Sequence, residues 1–410
     1  MSTDFAELIR RSSIAAAFME QEIAYICRSL PKRSPGSEGE RRAAAYLAGV
    51  LKEQCGCRTL FTETFREHPD SFWGYCRISG ILDSAACLGF FLHPAVGLVC
   101  GCLSMLLFVF FFVLYLPVID RFFPLREGSN VTALRPCRGE MKRRVFFNGH
   151  LDAAWEFSLN YYCGGFVFEI PNLMALVGVV FYMLLSVCAL TGAGSWTETA
   201  ARWGLLFLPF FIAVFFTFNP KRVVDGANDN LSGCCMGIAL LREMEECGFA
   251  LENTEIGVIL TGSEEAGLRG AKAWCRAHRD DFRDVPTYIL CFDTIHDPRF
   301  LMVNERDLNG TVKADSALAG AFLRAAEDTE VPCRRGQVPL FGGATDSAAF
   351  TQGGFRSVGV TGLNHKLEEY YHTRRDSCDN LNTEGLCNCY KAAVRTLELL
   401  DQGILDEARS

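Results

Sequence analysis

The sequence predicts an α/β protein whose mostly parallel, mixed sheet is flanked by helices and interrupted by four transmembrane helices. Apolar, β-rich runs alternate along the chain with amphipathic helical patterns. This alternation is typical of a parallel sheet, because each parallel strand needs a crossover connection to the next. Two long, almost uncharged blocks interrupt the alternation. Without them roughly 300 residues remain, enough for one large domain.

The elements of the α/β domain can be assigned in chain order. The first 22 residues are typical of an amphipathic, charged helix and lack the apolar core of a signal peptide. A longer helix is predicted to begin at Ser37, with Glu40 completing a capping box. The predicted strands are "RRVFFNGH", "EIGVILTGS" and "TYILCFD". Helices are predicted after "DNLSG", in "LRGAKAWCRAH" and in "NCYKAAVRTLELLDQ".

Two hydrophobic hairpins, at 73–119 and 168–219, are expected to interrupt a single domain that covers 1–410. Residues 84–119 contain no Asp, Glu, Lys or Arg, and this length exceeds one bilayer crossing of about 20 residues. His93-Pro94 is the expected turn of the first hairpin. The second hairpin contains "IPNLMALVGVVFYMLLSVCALTG" and "WGLLFLPFFIAVFFTF".

The first of the four predicted membrane segments runs from about Trp73 to Leu92 and is the weakest, because it carries Arg77 and Asp83. The alternative interpretation of all four segments is an unusually apolar buried core. Their length, their aromatic content and their near lack of charge favour the membrane.

Basic residues indicate how this integral membrane protein is oriented. They flank the hairpins on the side of the α/β domain, whereas the tip of the second hairpin has only Arg202. By the positive-inside rule, the α/β domain faces the cytoplasm. The 19 cysteines form no C-x-x-C pair and fit a reducing compartment. The flanking residues are Arg77, Arg121, Arg126, Lys221 and Arg222.

Histidines and acids stand where the predicted strands end. Because the carboxyl ends of parallel strands meet at one edge of a sheet, these side chains are expected to lie together. Two imidazoles and several carboxylates can hold a pair of divalent cations about 3.5–4 Å apart, and this mixture of ligands suits zinc. Each residue alone is a weak signal, since a single histidine is more often solvated than a ligand. The residues are His150, Asp152, Asp229, Glu264, Glu265, Asp293 and His372.

Glu264 and Glu265 are adjacent in "VILTGSEEAGLRG". Neighbouring side chains of an extended segment point in opposite directions, so the two acids cannot perform the same role at one site. For an isolated pair of acids after a strand, a solvated turn is the ordinary explanation. The other residues at neighbouring strand ends favour a functional role instead.

Three motifs, "GANDNLSG", "SEEAGLRGA" and "YHTRRDS", occur in this order. With them the chain resembles the co-catalytic di-zinc aminopeptidases and carboxypeptidases, a family that also includes glutaminyl cyclases and transferrin-receptor-like pseudo-enzymes. The resemblance runs from "RSPGSEGERRAAAYL" to "YYHTRRDS", and the two hairpins interrupt it. It implies two zinc ions bridged by Asp229, with His150 and Asp293 completing one site and Glu265 and His372 the other.

The resemblance also implies roles for residues that do not bind metal. Glu264 would be the general base, and Asp152 would orient His150. Asp346, in "FGGATDSAAF", is a candidate for an acid that supports a ligand, although a plain glycine turn is an equal alternative. The family pattern assigns no role to His296 or His365, which we expect to be ordinary surface histidines.

The predicted function is hydrolysis of peptide bonds by a membrane-embedded di-zinc metallopeptidase, an exopeptidase of the aminopeptidase kind. One alternative is a related amide reaction, either hydrolysis of N-acyl amino acids or lipopeptides or cyclisation of N-terminal glutamine. Another is a non-catalytic receptor or scaffold, which would be expected to have lost ligands. The net charge of −8 and the lack of a basic stripe argue against nucleic acid as a partner.

The predicted metal site is close in sequence to the second hairpin. Glu169 follows Asp152 by 17 residues, and Phe218 precedes Asp229 by 11. Extended chain covers at most about 3.3–3.6 Å per residue, so 11 residues span less than about 40 Å. We therefore expect the site to lie near the bilayer and to accept peptide or amphipathic amide substrates. The alternative is that the hairpins only anchor the protein.

Overall fold

The computed structural model describes residues 2–340, 342–364 and 368–406. Its centre is a mixed sheet of eight strands. The strands of the described chain are β1 (Thr59–Glu67), β2 (Arg126–Arg135), β3 (Arg143–His150), β4 (Trp155–Glu156), β5 (Asn219–Val223), β6 (Thr254–Thr261), β7 (Thr287–Ile295), β8 (Leu301–Asn304), β9 (Arg306–Asp307), β10 (Val312–Lys313), β11 (Arg334–Gly336) and β12 (Arg356–Gly362).

The large sheet has the order β1-β2-β6-β3-β7-β12-β8-β11. Its middle strands β6, β3, β7 and β12 are parallel to one another. The edge strands β1 and β2 and the pair β12–β8 are antiparallel. His150 at the end of β3 is in register with Thr261 at the end of β6. The predicted α/β class and its three strands are therefore confirmed, and their carboxyl ends meet at one edge.

Helices cover both faces of the sheet and form the hydrophobic hairpins. The side chains of α2, α3, α10, α12 and α14 pack in the larger core, and those of α11 and α13 pack on the opposite face. The helices are α1 (Thr3–Arg10), α2 (Ser12–Ser29), α3 (Glu38–Gln54), α4 (Asp70–Gly89), α5 (Pro94–Leu107), α6 (Ser158–Cys163), α7 (Gly165–Leu190), α8 (Trp196–Gly204), α9 (Leu208–Ala213), α10 (Ser232–Glu246), α11 (Arg269–Ala277), α12 (Ser316–Asp328), α13 (Asp346–Gln352) and α14 (Thr383–Asp401).

The predicted capping box of α3 forms only in part. Ser37 accepts a hydrogen bond from the backbone N–H of Glu40, as expected of an N-cap residue. The carboxylate of Glu40 does not return to Ser37. It is fully buried and accepts the backbone N–H groups of Gly36, Ser129 and Ser263. Glu40 therefore ties the start of α3 to β2 and to the segment that precedes Glu264.

Three segments of the described chain are long and apolar enough to cross a membrane: Pro94–Val113, Gly165–Leu190 and Trp196–Phe216. Their mean hydropathies are 2.7, 2.6 and 1.7. Only 22%, 33% and 22% of their most apolar stretches are buried, which disagrees with the alternative of an apolar core. Such a large exposed apolar surface needs a cover and argues for association with a membrane.

The first predicted membrane segment, from Trp73 to Leu92, coincides with α4 but is not among these three segments. This helix contains Arg77 and Asp83, and many of its side chains are buried against the other hairpin helices and the α/β domain. The segment that the sequence marked as the weakest of the four is therefore the one that falls short of a membrane span, and the other three meet it by length and hydropathy. The polar residues of α4 lower its hydropathy below that of the other three.

The base of the second hairpin lies next to the edge where the strands end. β4 and β5 pair in antiparallel fashion, with Trp155 opposite Val223. β4 begins three residues after Asp152, and β5 ends six residues before Asp229. This small ribbon joins the entry and exit of the hairpin and holds both beside the predicted metal ligands.

Candidate metal centre

The structure brings together all five predicted metal ligands. His150, Asp229 and Asp293 form one group, and Asp229, Glu265 and His372 form another. Within each group the ligand atoms lie within 4.8 Å of one another. Asp229 is the member common to both groups. The residues come from the ends of β3 and β7, the segments after β6 and β12, and the turn before α10.

Asp229 lies between the two histidines. Its Oδ1 is 3.2 Å from Nε2 of His150, and its Oδ2 is 3.1 Å from Nε2 of His372. The same Nε2 of His372 lies 3.1 Å from Oε1 of Glu265. Each carboxylate oxygen of Asp229 therefore faces one group of donors, as a carboxylate shared by two cations would.

Buried partners hold the turn that carries Asp229. The carboxylate of Asp376 accepts the backbone N–H groups of Asn228 and Asp229 at 2.7 and 3.1 Å. Arg33 donates to the carbonyls of Leu151 and Gly226, at 2.7 and 3.0 Å, and so joins this turn to the segment after His150. Both side chains are almost completely buried.

Neither Asp376 nor Arg33 is among the site residues predicted from the sequence. Asp376 lies inside the quoted motif "YHTRRDS", four residues after His372, and this proximity was the available signal. Burial and the nearby charge of Asp229 raise the pKa of Asp376 to about 7. Arg33 had no comparable signal, because its partners lie more than a hundred residues away in sequence.

Asp152 contacts more than the predicted His150. Its Oδ1 lies 3.3 Å from Nδ1 of His150, the histidine that Asp152 is expected to orient. Its two oxygens also accept the backbone N–H groups of Glu264 and Glu265, at 2.9 and 3.0 Å. One buried carboxylate therefore positions both acids of the pair.

Glu264 is placed beside the ligand cluster, with Oε2 3.8 Å from Nε2 of His150. Burial, together with the charges of Glu265 and Asp293, raises the pKa of Glu264 well above its usual value, although His150 opposes this. A carboxyl group with a raised pKa retains a proton more readily, which suits a group that accepts and returns a proton.

The cluster carries more negative than positive groups, and this excess of negative charge changes the pKa of His372. Burial alone would lower the pKa of His372, but Glu265 and Asp229 outweigh it and raise the pKa to about 10. Burial and the charge of Asp229 raise the pKa of Asp293 to about 8. A site of this kind favours cations, and imidazoles with carboxylates form the donor set that zinc prefers. The residues present therefore fit the zinc pair that the family resemblance implies.

Three other predicted residues lie apart from the cluster or outside the described chain. Asp346 is buried at the start of α13 and accepts a hydrogen bond from Thr261 at the end of β6, so it supports that strand end. His296 is half-buried, with its ring 4.5 Å from that of Tyr370, and it lies outside the metal cluster. His365 lies outside the described residues.

Residues 214–397 match the sequence profile described as Peptidase family M28. The matched region contains Asp229, Glu264, Glu265, Asp293, Asp346 and His372, whereas His150 and Asp152 precede it. The family expected from the motifs is thus confirmed. No curated protein matches the chain in sequence.

Solved structures show the same fold at low sequence identity. An aminopeptidase from Aneurinibacillus sp. strain AM-1 is 12% identical, with a TM-score of 0.57 over 96% of this chain and 95% of that one. A zinc aminopeptidase from Bacillus subtilis is 12% identical, with a TM-score of 0.55 over 94% of each chain. A glutaminyl cyclase from an Acidobacteriales bacterium is 14% identical, with a TM-score of 0.54 over 96% of this chain and 95% of that one.

Family and fold together support a metallopeptidase, and the His, Asp and Glu cluster is compatible with zinc. Identities of 12–14% establish only the fold for the solved structures. The reaction must therefore be argued from the residues of this chain.

Proposed function

We propose that the protein is a membrane-embedded di-zinc metallopeptidase that removes residues from the amino end of peptides. The observation that carries this proposal is the position of Asp229, whose two oxygens face His150 and His372 separately. The catalytic unit is a single domain over 1–410, interrupted by the hairpins at 73–119 and 168–219.

In this proposal, His150 and Asp293 hold one zinc ion together with Asp229, and Glu265 and His372 hold the other. A zinc pair bound there supplies Lewis-acid polarisation of the scissile carbonyl and lowers the pKa of a nearby water. The protein supplies the fixed arrangement of donors. The backbone N–H groups of Asp229 and Glu264 donate buried hydrogen bonds to the carboxylates of Asp376 and Asp152, which hold these two residues in position.

Glu264 is proposed as the general base. It takes a proton from the attacking water and returns it to the nitrogen of the leaving amine. Its backbone N–H is bound by Asp152, so its carboxylate is held beside His150 and does not have to reach the site from solvent. The backbone N–H of Glu265 also donates to Asp152, but the carboxylate of Glu265 lies against His372.

The residues proposed as ligands and base also bear on the two alternatives, a non-catalytic receptor and a glutaminyl cyclase. A receptor built on an inactive peptidase domain would be expected to have lost ligands, whereas this chain keeps all five residues proposed as ligands and the residue proposed as base. Glutamine cyclisation is the alternative that the fold comparison keeps open, since one solved neighbour is a glutaminyl cyclase. Two bound zinc ions would count against it, because cyclases of this type work with one metal.

A mixed library tests the proposal directly. Purified protein in nanodiscs is incubated with peptides, N-acyl amino acids, lipopeptides and peptides with N-terminal glutamine, and mass spectrometry identifies the altered bond. We expect loss of amino-terminal residues in the wild type and none with Glu264→Gln. A product set that contains only cyclised glutamine, or no change with metal-loaded wild type, would refute it.

A further inference from the structure

A groove of about 870 Å³ lies between α4 and the end of the second hairpin. Most of its lining is apolar, and two cationic side chains, Arg77 and Lys221, stand at it. The apolar lining comes from Ile81 on α4 and from Ile212, Phe215, Phe216 and Phe218 at the end of the second hairpin.

We propose that this groove binds the acyl chain of an anionic, lipid-like peptide or amino-acid amide, which reaches the active site sideways from the membrane. The inference rests on the proposed peptidase function and extends it by naming a class of substrate. Three features of the groove lead to this occupant: its exposed apolar surface, its charges and its connection to the metal cluster.

Three of the large apolar side chains that line the groove, Ile81, Ile212 and Phe216, are exposed. Ile81 is 58% exposed and Phe216 is 67% exposed. Phe216 and Ile212 belong to a segment apolar enough to cross a membrane, so the groove opens where acyl chains would surround the protein. A saturated chain is the ligand that gains most from such a surface, because each buried methylene contributes favourably.

Because Arg77 and Lys221 line the groove, we expect its ligand to carry an anionic group. In the described ranges, neither Arg77 nor Lys221 forms an ion pair with a carboxylate of the protein. The guanidinium of Arg77 lies over the ring of Trp73, 4.5 Å from its centroid, and this contact leaves its donors free for an anion. A neutral lipid would leave both charges uncompensated.

Aromatic rings connect the groove to the metal cluster. Phe218 lines the groove, and its ring centroid is 5.2 Å from that of Phe157. The ring of Phe157 is in turn 4.6 Å from that of His372, and its backbone N–H donates to the carbonyl of His372 at 2.8 Å. A single aromatic side chain therefore separates the groove from a proposed zinc ligand, close enough for one molecule to occupy both places.

The first test measures kcat/KM for peptides that share one scissile bond and carry acyl tails of increasing length, in dilute nanodiscs. Sideways entry predicts a rise of up to about fourfold per methylene until the groove is filled. If the hairpins only anchor the protein, longer tails remove substrate into the bilayer, and the series is flat or falls. That result would overturn the inference.

Matched variants separate the groove from the bilayer. Ile81→Trp fills the groove and should abolish the rise with tail length. Val99→Trp, at a residue of α5 that is 57% exposed and does not line the groove, should preserve it. Equal effects of the two substitutions would refute a specific groove.

The charges have a separate test. A tail linked through glutamate is compared with the same tail linked through glutamine, which differs only in charge. Wild type should prefer the glutamate linker by about fivefold, and Arg77→Gln with Lys221→Gln should remove the preference. A preference that survives the double substitution would show that the anion is bound elsewhere.

Binding can also be measured without turnover. Glu264→Gln protein in nanodiscs is irradiated with an acyl peptide that has a diazirine at the tail end, and the adducts are mapped. We expect adducts on α4 and on residues 208–218, displaced by unlabelled acyl peptide but not by excess phospholipid. Even labelling of α5 and α7, or displacement by phospholipid, identifies bulk lipid as the occupant and refutes the proposal.

These results distinguish failure of the groove from failure of the enzyme. If wild type cleaves the short-tailed peptide but the series is flat, the peptidase function stands and the groove proposal fails. If the protein cleaves no peptide of any tail length, both proposals fail, because the groove was assigned a substrate.

Discussion

Two adjacent acids, Glu264 and Glu265, occupy different positions because a third acid binds the backbone of both. Asp152 accepts hydrogen bonds from both of their N–H groups, so it fixes the backbone from which both side chains start. Their side chains then diverge, one toward His150 and the other toward His372. The proposed division between base and ligand follows from this arrangement.

Glu264→Gln should keep both zinc ions and lose nearly all turnover. Glutamine has nearly the size of glutamate but cannot accept the proton, and loss of a general base costs about 10²–10⁴-fold in rate. The measurement is kcat together with zinc content by mass spectrometry. Glu265→Gln is the matched control and should lower the zinc content instead. A Glu264→Gln protein that turns over at the wild-type rate would disprove the role.

Asp229→Ala should lose both metals, since its oxygens face both groups of ligands. We expect a zinc-to-protein ratio close to zero after dialysis, at a protein concentration where wild type retains two. Asp346→Ala, at a buried acid outside the cluster, should retain more zinc. Retention of two zinc ions by Asp229→Ala would show that the carboxylate does not bridge them.

At the scale of elements, the turn before α10 depends on partners from other parts of the chain. Asp376 holds its backbone from the segment after β12, and Arg33 holds it from the segment before α3. The parallel strands form the sheet edge at which the cluster lies, but the position of Asp229 relative to that edge depends on the hydrogen bonds of these two side chains. Their removal should therefore affect metal binding although neither is a proposed ligand.

Asp376→Asn replaces an acceptor oxygen by an amide that faces a backbone N–H. A buried donor left without a partner costs about 1–3 kcal/mol, and loss of a group that orients a ligand weakens metal binding by about 10–100-fold. Thermal unfolding and competition with a zinc chelator measure the two effects.

Asp379→Asn is the matched control for this substitution. Its carboxyl is 79% exposed and pairs with Arg28 at the surface, so stability should change by less than about 0.5 kcal/mol. Equal zinc affinities for Asp376→Asn and Asp379→Asn would contradict the orienting role of Asp376.

At the scale of the whole molecule, the arrangement in the membrane follows from the hairpins and their flanking charges. The tip of the second hairpin around Ser195 lies at the opposite end of its helices from the basic residues Lys221 and Arg222. By the positive-inside rule we expect the α/β domain to face the cytoplasm.

Cysteine labelling of intact cells tests this orientation. In a background without exposed cysteines, a membrane-impermeant maleimide should label Ser195→Cys and not Lys142→Cys, which is exposed on the α/β domain. Both should react after the cells are opened. The buried cysteines, such as Cys234 and Cys389, need no replacement because reagents do not reach them. Labelling of Lys142→Cys in intact cells would show that the α/β domain faces the outside of the cell.

The sequence alone determined the three central strands, the helices that follow them, the hydrophobic segments and the set of residues that meets in the cluster. These depend on local patterns of two and 3.6 residues and on compact motifs, which can be read without the fold. The antiparallel edge of β1 and β2 was not predicted, because strand pairing depends on partners distant in the chain.

Only the tertiary structure decided which side chains support the cluster. The hydrogen bonds of Asp152 with Glu264 and of Asp376 with Asn228 join residues 112 and 148 positions apart. The groove likewise combines α4 with the end of the second hairpin, which are separated by more than a hundred residues. Motifs identify the residues that do the chemistry, whereas orientation and access depend on contacts between distant segments, which only packing creates.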